Sequence, residues 1–499
     1  MDQRADAARE RWGDLRAGLV HHSPMTDTVA SYDQVPYVFY SFPETHPRRL
    51  QAAARLLGLE TPAPAGCRVL ELGCAVGGNI VPMAYSLPNA KLIGIDLVAS
   101  QIETAKKFAA ASGVDNLDLR AASITEVTSE WGQFDYIIAH GVFSWVPHDV
   151  AEKVLQICAE QLAPNGLAYI SFNTYPGWHM RMWAREAMRF HADKFADPIE
   201  KARAGRDFVL ALAQAPFTSA LLQGEVQWLQ GKGESYILHE YFEGVNHPFY
   251  FRDFAARVAK QGLQYLGDAV QNGMVAAENW APFKSWMEAN RDDLIRQEQY
   301  VDFVRNREFR RALLCHGNLT IDRTQMLERA ETMHAAAYFR HSAEANGVSR
   351  FAHSRGEVVI GAGPLHDALL TISRRFPQTL SVKELIDAAG QQRATLLREL
   401  LNCWMNGILE LYIEPPPVLA QAPGDKPRAS LVARYLAAQN QSPINQRHGS
   451  IPIDETLRRF IQLLDGTRTR DQLATELGTA RENIDRLVQW SMNAALLEA

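Results

Sequence analysis

The sequence predicts an α/β fold: a parallel sheet with crossover helices, then a helical insertion, a helical middle region and two C-terminal winged-helix-like units. Three observations carry this. Between residues 68 and 174 short apolar runs alternate with helical stretches, as in strands joined by crossover helices. Past residue 174 the alternation gives way to a mostly helical pattern. Beyond residue 345 one helical unit occurs twice.

Residues 1–60 read as a lid and a helix ahead of a core at 61–175. Five apolar runs, 68–72, 91–95, 118–124, 134–139 and 167–172, are the predicted strands. Between the second and third, Ser100-Gln-Ile-Glu103 reads as a capping box, and Gly113 as the left-handed stop of one helix. Pro164-Asn165-Gly166 is a turn feeding the fifth strand. Residues 176–231 form the helical insertion, and 250–269 read as a helix, a break at Gly262 and a strand returning to the sheet. The rest of 176–345, from about 281 to 341, reads as helical, a strut or an oligomer contact. Leu365-His-Asp-Ala-Leu369 aligns without a gap over Ile453-Asp-Glu-Thr-Leu457, and register holds through Leu385 over Leu473 and Gly390 over Gly478. The two copies are placed at 346–416 and 431–499, joined by a Pro-rich linker at 417–430.

Composition narrows the function. Hydrophobic residues make up 47% of the 499 and charged residues 22%, which suits a packed globular protein and excludes disorder as the main theme. Fifty-one Lys and Arg against 57 Asp and Glu give a net charge of -6, so no global basic field draws nucleic acid or an anionic membrane. Five cysteines without a Cys-x-x-Cys pair indicate neither a disulfide framework nor a zinc module, and no metal site is expected. The N-terminus lacks the apolar stretch of a signal peptide and no run is long enough to span a membrane. The expected location is cytoplasmic.

The strongest chemical signal is Val69-Leu-Glu71-Leu-Gly73-Cys74-Ala75-Val-Gly77-Gly78-Asn79, where the first strand turns into a helix. Gly73 and Gly77 let the backbone bend and approach a ligand. A dinucleotide would place its pyrophosphate here, but Glu71 would repel it, and Ala75 replaces the glycine that admits it. Glu71 suits a ligand bearing an ammonium group, and Asp96, closing the second strand, is placed to accept from ribose hydroxyls. The set favours S-adenosylmethionine.

On these residues the chain resembles the class I S-adenosylmethionine-dependent methyltransferases, which implies a Rossmann-like core. The resemblance implies that Glu71, Gly73 and Gly77 line the methionine part and Asp96 the ribose, with Cys74, Asn79, Leu97 and Gln101 also among the cofactor-binding residues. Ser123 and Ile124 would lie at the adenine and His140 beside the sulfonium. Further segments narrow the family: Ser41-Phe42-Pro43-Glu-Thr45-His46-Pro47, His140-Gly-Val-Phe143-Ser-Trp145, Asn173-Thr-Tyr175-Pro-Gly-Trp178, Leu238-His239-Glu240-Tyr241 and Asn246-His247-Pro248. They are similar to those of bacterial methyltransferases with a methyltransferase regulatory domain, a group similar to the lysine methyltransferases of an outer-membrane protein. The implied acceptor is a lysine of a protein substrate, an outer-membrane or secreted protein before export, and a homodimer is an option the family leaves open.

Phe143, Trp145, Tyr175 and Trp178 at strand ends, with Tyr37, Phe42 and His46 ahead of the sheet, suggest an acceptor channel, and His140 and Tyr175 are the candidates if a base is used. His239 and Glu240 have a metal-like look but no third ligand at suitable spacing, so they read as surface or packing residues. Acids interleave with the arginines of the winged-helix pair, which favours protein contact over DNA. Three classes fit the residues: a protein methyltransferase, a small-molecule methyltransferase with accessory domains, and a cofactor-binding regulator. Because the glycine turn and Asp96 lie far from the repeat, deletion from Ser430 onward is expected to leave cofactor affinity within a few-fold.

Overall fold

The computed structural model describes residues 39–498 apart from 216–219, 271–279, 344–346, 354–355, 417–419, 421 and 423. Its centre is a seven-stranded sheet of β1 (Arg68–Leu72), β2 (Lys91–Asp96), β3 (Leu117–Ala121), β4 (Phe134–Ala139), β5 (Leu162–Asn173), β6 (Leu263–Asp268) and β7 (Phe309–His316). The order is β3-β2-β1-β4-β5-β7-β6. The first five strands are parallel, and β7 lies antiparallel between β5 and β6. This is a Rossmann-like sheet, as the resemblance implies, with the strand order reversing between β1 and β4, where such sheets bind ligands.

Near-continuous apolar runs in the central strands reflect burial on both faces. Leu70, Leu72, Ile137 and Ala139 face one core layer, and Val69, Tyr136 and Ile138 the other; all are at most 1% exposed. Helices α1 (Pro47–Leu57), α2 (Ile80–Ser86), α3 (Ala99–Ala111) and α4 (His148–Gln161) belong to this core. α5 (Trp178–Ala192), α6 (Pro198–Leu212) and α7 (Ala220–Leu229) form the helical insertion with a core of its own around Met188 and Tyr241. α8 (Phe251–Lys260) then leads through Gly262 into β6, as the sequence predicts.

Several expectations are corrected. α3 begins at Ala99 with Val98 as N-cap and no side-chain cap, so Ser100-Glu103 is no capping box. The Asp96 carboxylate, which accepts from Val98 N–H at 3.0 Å, fixes the helix entry instead. Residues 164–166 are no free turn: Leu162 pairs with Phe134 and Leu167 with Tyr136, so Pro164-Asn165-Gly166 bulges within β5. The region from 281 to 341 is not all helical, since it contains β7, a strand at His334–Ala336 and another at Arg340–Ala343. The charges of Phe309-Arg310-Arg311 hide β7 in the sequence. Arg310 is fully buried because Asp268, Glu298 and Asp302 pair with it and its guanidinium lies 3.9 Å over the Phe251 ring.

Both C-terminal copies are present. The first has helices Pro364–Arg375, Val382–Ala388 and Arg393–Met405, and the second Glu455–Leu463, Arg470–Leu477 and Arg481–Asn493, in the register the alignment predicts. In the first, His334–Ala336 pairs with Leu380–Ser381 and Glu410–Tyr412, so its sheet draws on chain before residue 346. In the second, an added helix, Leu431–Ala438, packs on the methyltransferase core: Tyr435 stacks on Phe108 at 4.9 Å, and Val432 and Leu436 join the same buried cluster.

Candidate active site

The turn after β1 is fixed by two hydrogen bonds, from Gly73 N–H and Cys74 N–H to Ile95 C=O, both 2.9 Å. Gly73 has φ +76°, and a Cβ on it would stand 2.6 Å from Val142 Cγ2, so only glycine fits. At the tip of β2, Asp96 Oδ2 accepts from Ala75 N–H at 2.9 Å and Oδ1 from Val98 N–H. Each oxygen keeps a lone pair for a further donor. Burial pushes the Asp96 carboxyl above its ordinary value, against the pull of these bonds.

Glu71, at 3% exposure, is held from one side only. Asn79 Nδ2 donates to Oε1 at 2.6 Å, while Oε2 is buried without a hydrogen-bond partner. Burial pushes this carboxyl up to about 7, opposed by the Asn79 bond and aided by the Asp96 charge. A buried acid with a bare oxygen facing a cavity is built to receive a cation.

Asn79 is itself held by three segments. Its Oδ1 accepts from Phe42 N–H at 2.9 Å and from His448 Nε2 at 2.8 Å, and its Nδ2 also donates to Thr45 Oγ1 at 2.9 Å. His448 belongs to the second winged-helix unit. Donation from Nε2 leaves Nδ1 as the bare nitrogen, which is buried and unpartnered, and burial holds the ring down at about 3, so it is neutral. The C-terminal unit therefore supports the cofactor turn, contrary to the independence expected from sequence distance.

Glu71, Asn79 and Asp96 line one cavity of about 830 Å³ with a second, aromatic half. Trp145 and Trp178 meet edge to face at 6.0 Å, and Trp228 and Tyr236 stand across from the strand ends on the insertion. Arg181 binds Glu240 at 3.0 Å and Glu308 at 2.6 Å and lies 4.5 Å over Trp228, which fixes charge and rings together. His140 sits between the halves. Phe42 stacks on it at 3.6 Å, its Nδ1 meets Tyr169 Oη at 2.8 Å, and burial holds it down at about 3.

The cavity brings together Phe42, Glu71, Gly73, Cys74, Asn79, Asp96, Leu97, Gln101, Ser123, Ile124, His140, Trp145 and Trp178. Others of the predicted set lie elsewhere. Gly77 packs the turn on α3, where a Cβ would come within 3.0 Å of Ala105 Cβ. Phe143 is a core residue 5.3 Å from both Phe249 and Phe254. Tyr175 stacks on His179 at 4.2 Å outside the cavity, so it is not placed as a base, and its phenol is pushed further up by burial. His46 binds Ser86 Oγ at 2.8 Å, behind the turn. Tyr37 lies outside the described residues. The Ser123 hydroxyl caps its own turn, accepting from Thr125 N–H at 3.2 Å, in the capping box closed by Glu126. Sequence reasoning missed Arg181, Trp228, Lys232, Tyr236, Glu308, Phe309 and Arg311; His239 and Glu240, read as surface or packing residues, also line the cavity. For those in and just after the insertion the sequence held one signal, the density of aromatic and charged residues there; for Glu308, Phe309 and Arg311 it held none.

The donor set fits S-adenosylmethionine: a bare carboxylate oxygen for its ammonium, a two-oxygen acceptor for its ribose, and a neutral ring near its sulfonium. The comparisons agree. Residues 69–166 match the methyltransferase domain, 233–316 a predicted methyltransferase regulatory domain, and 425–489 the C-terminal winged helix domain of PKMT. Uncharacterized protein RP789 of Rickettsia prowazekii is 32% identical over 483 residues, covering 88% of this chain and 85% of the relative. PKMT2 from Rickettsia typhi, solved in complex with AdoHcy, is 27% identical with a TM-score of 0.81, covering 93% of this chain and all of that one. The chain thus belongs to the class I S-adenosylmethionine-dependent methyltransferases that join a methyltransferase regulatory domain to a PKMT winged helix domain.

Proposed function

We propose that the methyl acceptor is a lysine amine of a protein, an outer-membrane or secreted protein modified in the cytoplasm before export. The observation that carries this is the aromatic half of the cavity, where Trp145, Trp178, Trp228 and Tyr236 stand beside Glu240 and Glu308. Rings attract a methylated or unmethylated ammonium by cation–π interaction, worth roughly 0.5 to 2 kcal/mol. The likeness to PKMT2 of Rickettsia typhi supports the same reading.

S-adenosylmethionine supplies an electrophilic methyl group whose leaving thioether needs no acid. The residues have other tasks. Glu71 and Asp96 would hold the ends of the cofactor, and the neutral His140 adds no positive charge next to a sulfonium. Trp145 and Trp178 displace water from the acceptor nitrogen, which lowers its pKa and favours the reactive free amine. Holding amine and methyl in line then supplies most of the rate. With its ring held at about 3, His140 is too weakly basic to deprotonate a lysine ammonium, so the proton goes to water.

The test is incubation with methyl-labelled S-adenosylmethionine and a lysate of the source cell, followed by acid hydrolysis of the protein fraction. Labelled methyl-lysine is expected. Label confined to small molecules, or to a residue other than lysine, would overturn the reading.

A further inference from the structure

The acceptor half of the cavity already holds a lysine. Lys232 Nζ lies 4.0 Å from the centre of the Trp228 ring and 4.9 Å from that of Tyr236. Among the described residues it is the one lysine lining the cavity that Glu71 and Asp96 also line. It makes no ion pair among the described residues, although Glu240, Glu243 and Glu308 line the same space. Two rings stand where a carboxylate would ordinarily be, and rings hold an ammonium without being lost when it is methylated.

The backbone lets this side chain advance. Lys232 stands at the tip of Gly231-Lys232-Gly233, between α7 and the short helix Glu234–Ile237. Gly231 has φ +80°, and both glycines face open space where a Cβ would be. Lys232 is tied through its backbone, by its N–H to Leu229 C=O at 3.2 Å and by its C=O to Arg206 Nη1 at 3.1 Å. The four-carbon stem stays free to turn into the cavity.

From these placements we infer that Lys232 is a modification site: the enzyme methylates it in its own cavity, and its ammonium occupies the ring pair meant for the acceptor lysine. The inference rests on the lysine-methyltransferase reading. The Lys232 ammonium first loses a proton to water. The nitrogen lone pair then forms a C–N bond to the methyl carbon as the S–C bond breaks, its electron pair staying on sulfur to give neutral S-adenosylhomocysteine. The product nitrogen is a monomethylammonium, and further rounds follow the same balance.

Two measurements test it. Peptide mapping of the purified protein, before and after incubation with labelled S-adenosylmethionine, should find methyl groups on Lys232, with a first-order rate constant independent of enzyme concentration. A rate that scales with concentration would overturn transfer within one chain. The second needs no cofactor. Tetramethylammonium chloride, titrated while tryptophan fluorescence is followed, should bind Lys232→Ser at least several-fold more tightly than the unmethylated wild type, and Trp228→Ala should remove that gain. Equal affinity in wild type and Lys232→Ser would overturn occupancy of the ring pair. If lysate proteins gain methyl-lysine while Lys232 does not, self-methylation fails and the lysine reading stands. If no protein gains it, both fall.

Discussion

The two halves of the cavity are built by different rules. The cofactor half is assembled from consecutive residues at the ends of adjacent strands, so that Glu71 lies opposite Gly94 and Asp96 follows two residues on. Its charges are fixed by short-range bonds from Asn79, Ala75 and Val98. The aromatic half, proposed for the acceptor, is assembled from distant pieces: Trp145 after β4, Trp178 and Arg181 on α5, Trp228 on α7, Glu308 and Phe309 at β7. The cofactor half thus has a local frame, buttressed at Asn79 by Phe42, Thr45 and the distant His448. The other half depends on how the insertion packs against the sheet.

If the acceptor half depends on long-range packing, the largest effect should come from its anchor. Arg310 carries no functional contact, but it ties β7 to Asp268 and Asp302. Arg310→Ala leaves Asp268 and Asp302 with Arg307 as their remaining cation and should cost about 3 kcal/mol of stability, read as a lowered denaturant midpoint. A midpoint unchanged from wild type would mean that β7 is not held by this network.

In the cofactor half, Asp96→Ala removes the carboxylate proposed to accept from the ribose and should weaken S-adenosylhomocysteine by roughly 1.5 to 3 kcal/mol in calorimetry. Loss of less than a factor of three would place the ribose elsewhere.

Proton linkage sharpens the same contrast. Glu71 is raised to about 7, so it is mostly protonated at pH 6 and mostly ionised at pH 8. An ammonium ligand favours the ionised form, and affinity should therefore rise about tenfold from pH 6 to pH 8. His46, pushed well below its ordinary value, and His448, at about 3, stay uncharged across that range. Glu71→Gln should flatten the profile; a slope that survives would assign the titration to another group.

The smallest expected effect tests the reach of the C-terminal unit. His448→Ala removes one support of Asn79 and should cost cofactor binding about 1 kcal/mol, close to fivefold. Deletion from Ser430 should cost at least as much, because Leu431–Ala438 leaves the core with it.

The contrast also explains what the sequence shows. The glycine turn, Glu71 and Asp96 are legible because local geometry demands those residue types at fixed spacing. The repeat is legible because its apolar positions recur in register. Trp228, Lys232 and Tyr236 are not, since tertiary packing alone brings the insertion to the strand ends. Phe143 and Tyr175 sit in segments that also hold the cavity residues Trp145 and Trp178, yet Phe143 turns into the core and Tyr175 onto His179, and one sequence cannot tell which residue of a segment faces the cavity. His448 is 369 positions from Asn79, beyond any pattern a single chain displays.

The division of labour between the halves is tested most directly by Trp145→Ala, measured twice on one preparation. S-adenosylhomocysteine affinity by calorimetry should stay within about threefold of wild type, while turnover onto protein lysine falls by about 2 kcal/mol of transition-state stabilisation, roughly thirtyfold. Affinity and turnover falling together by the same factor would contradict the account, because Trp145 would then belong to the cofactor half.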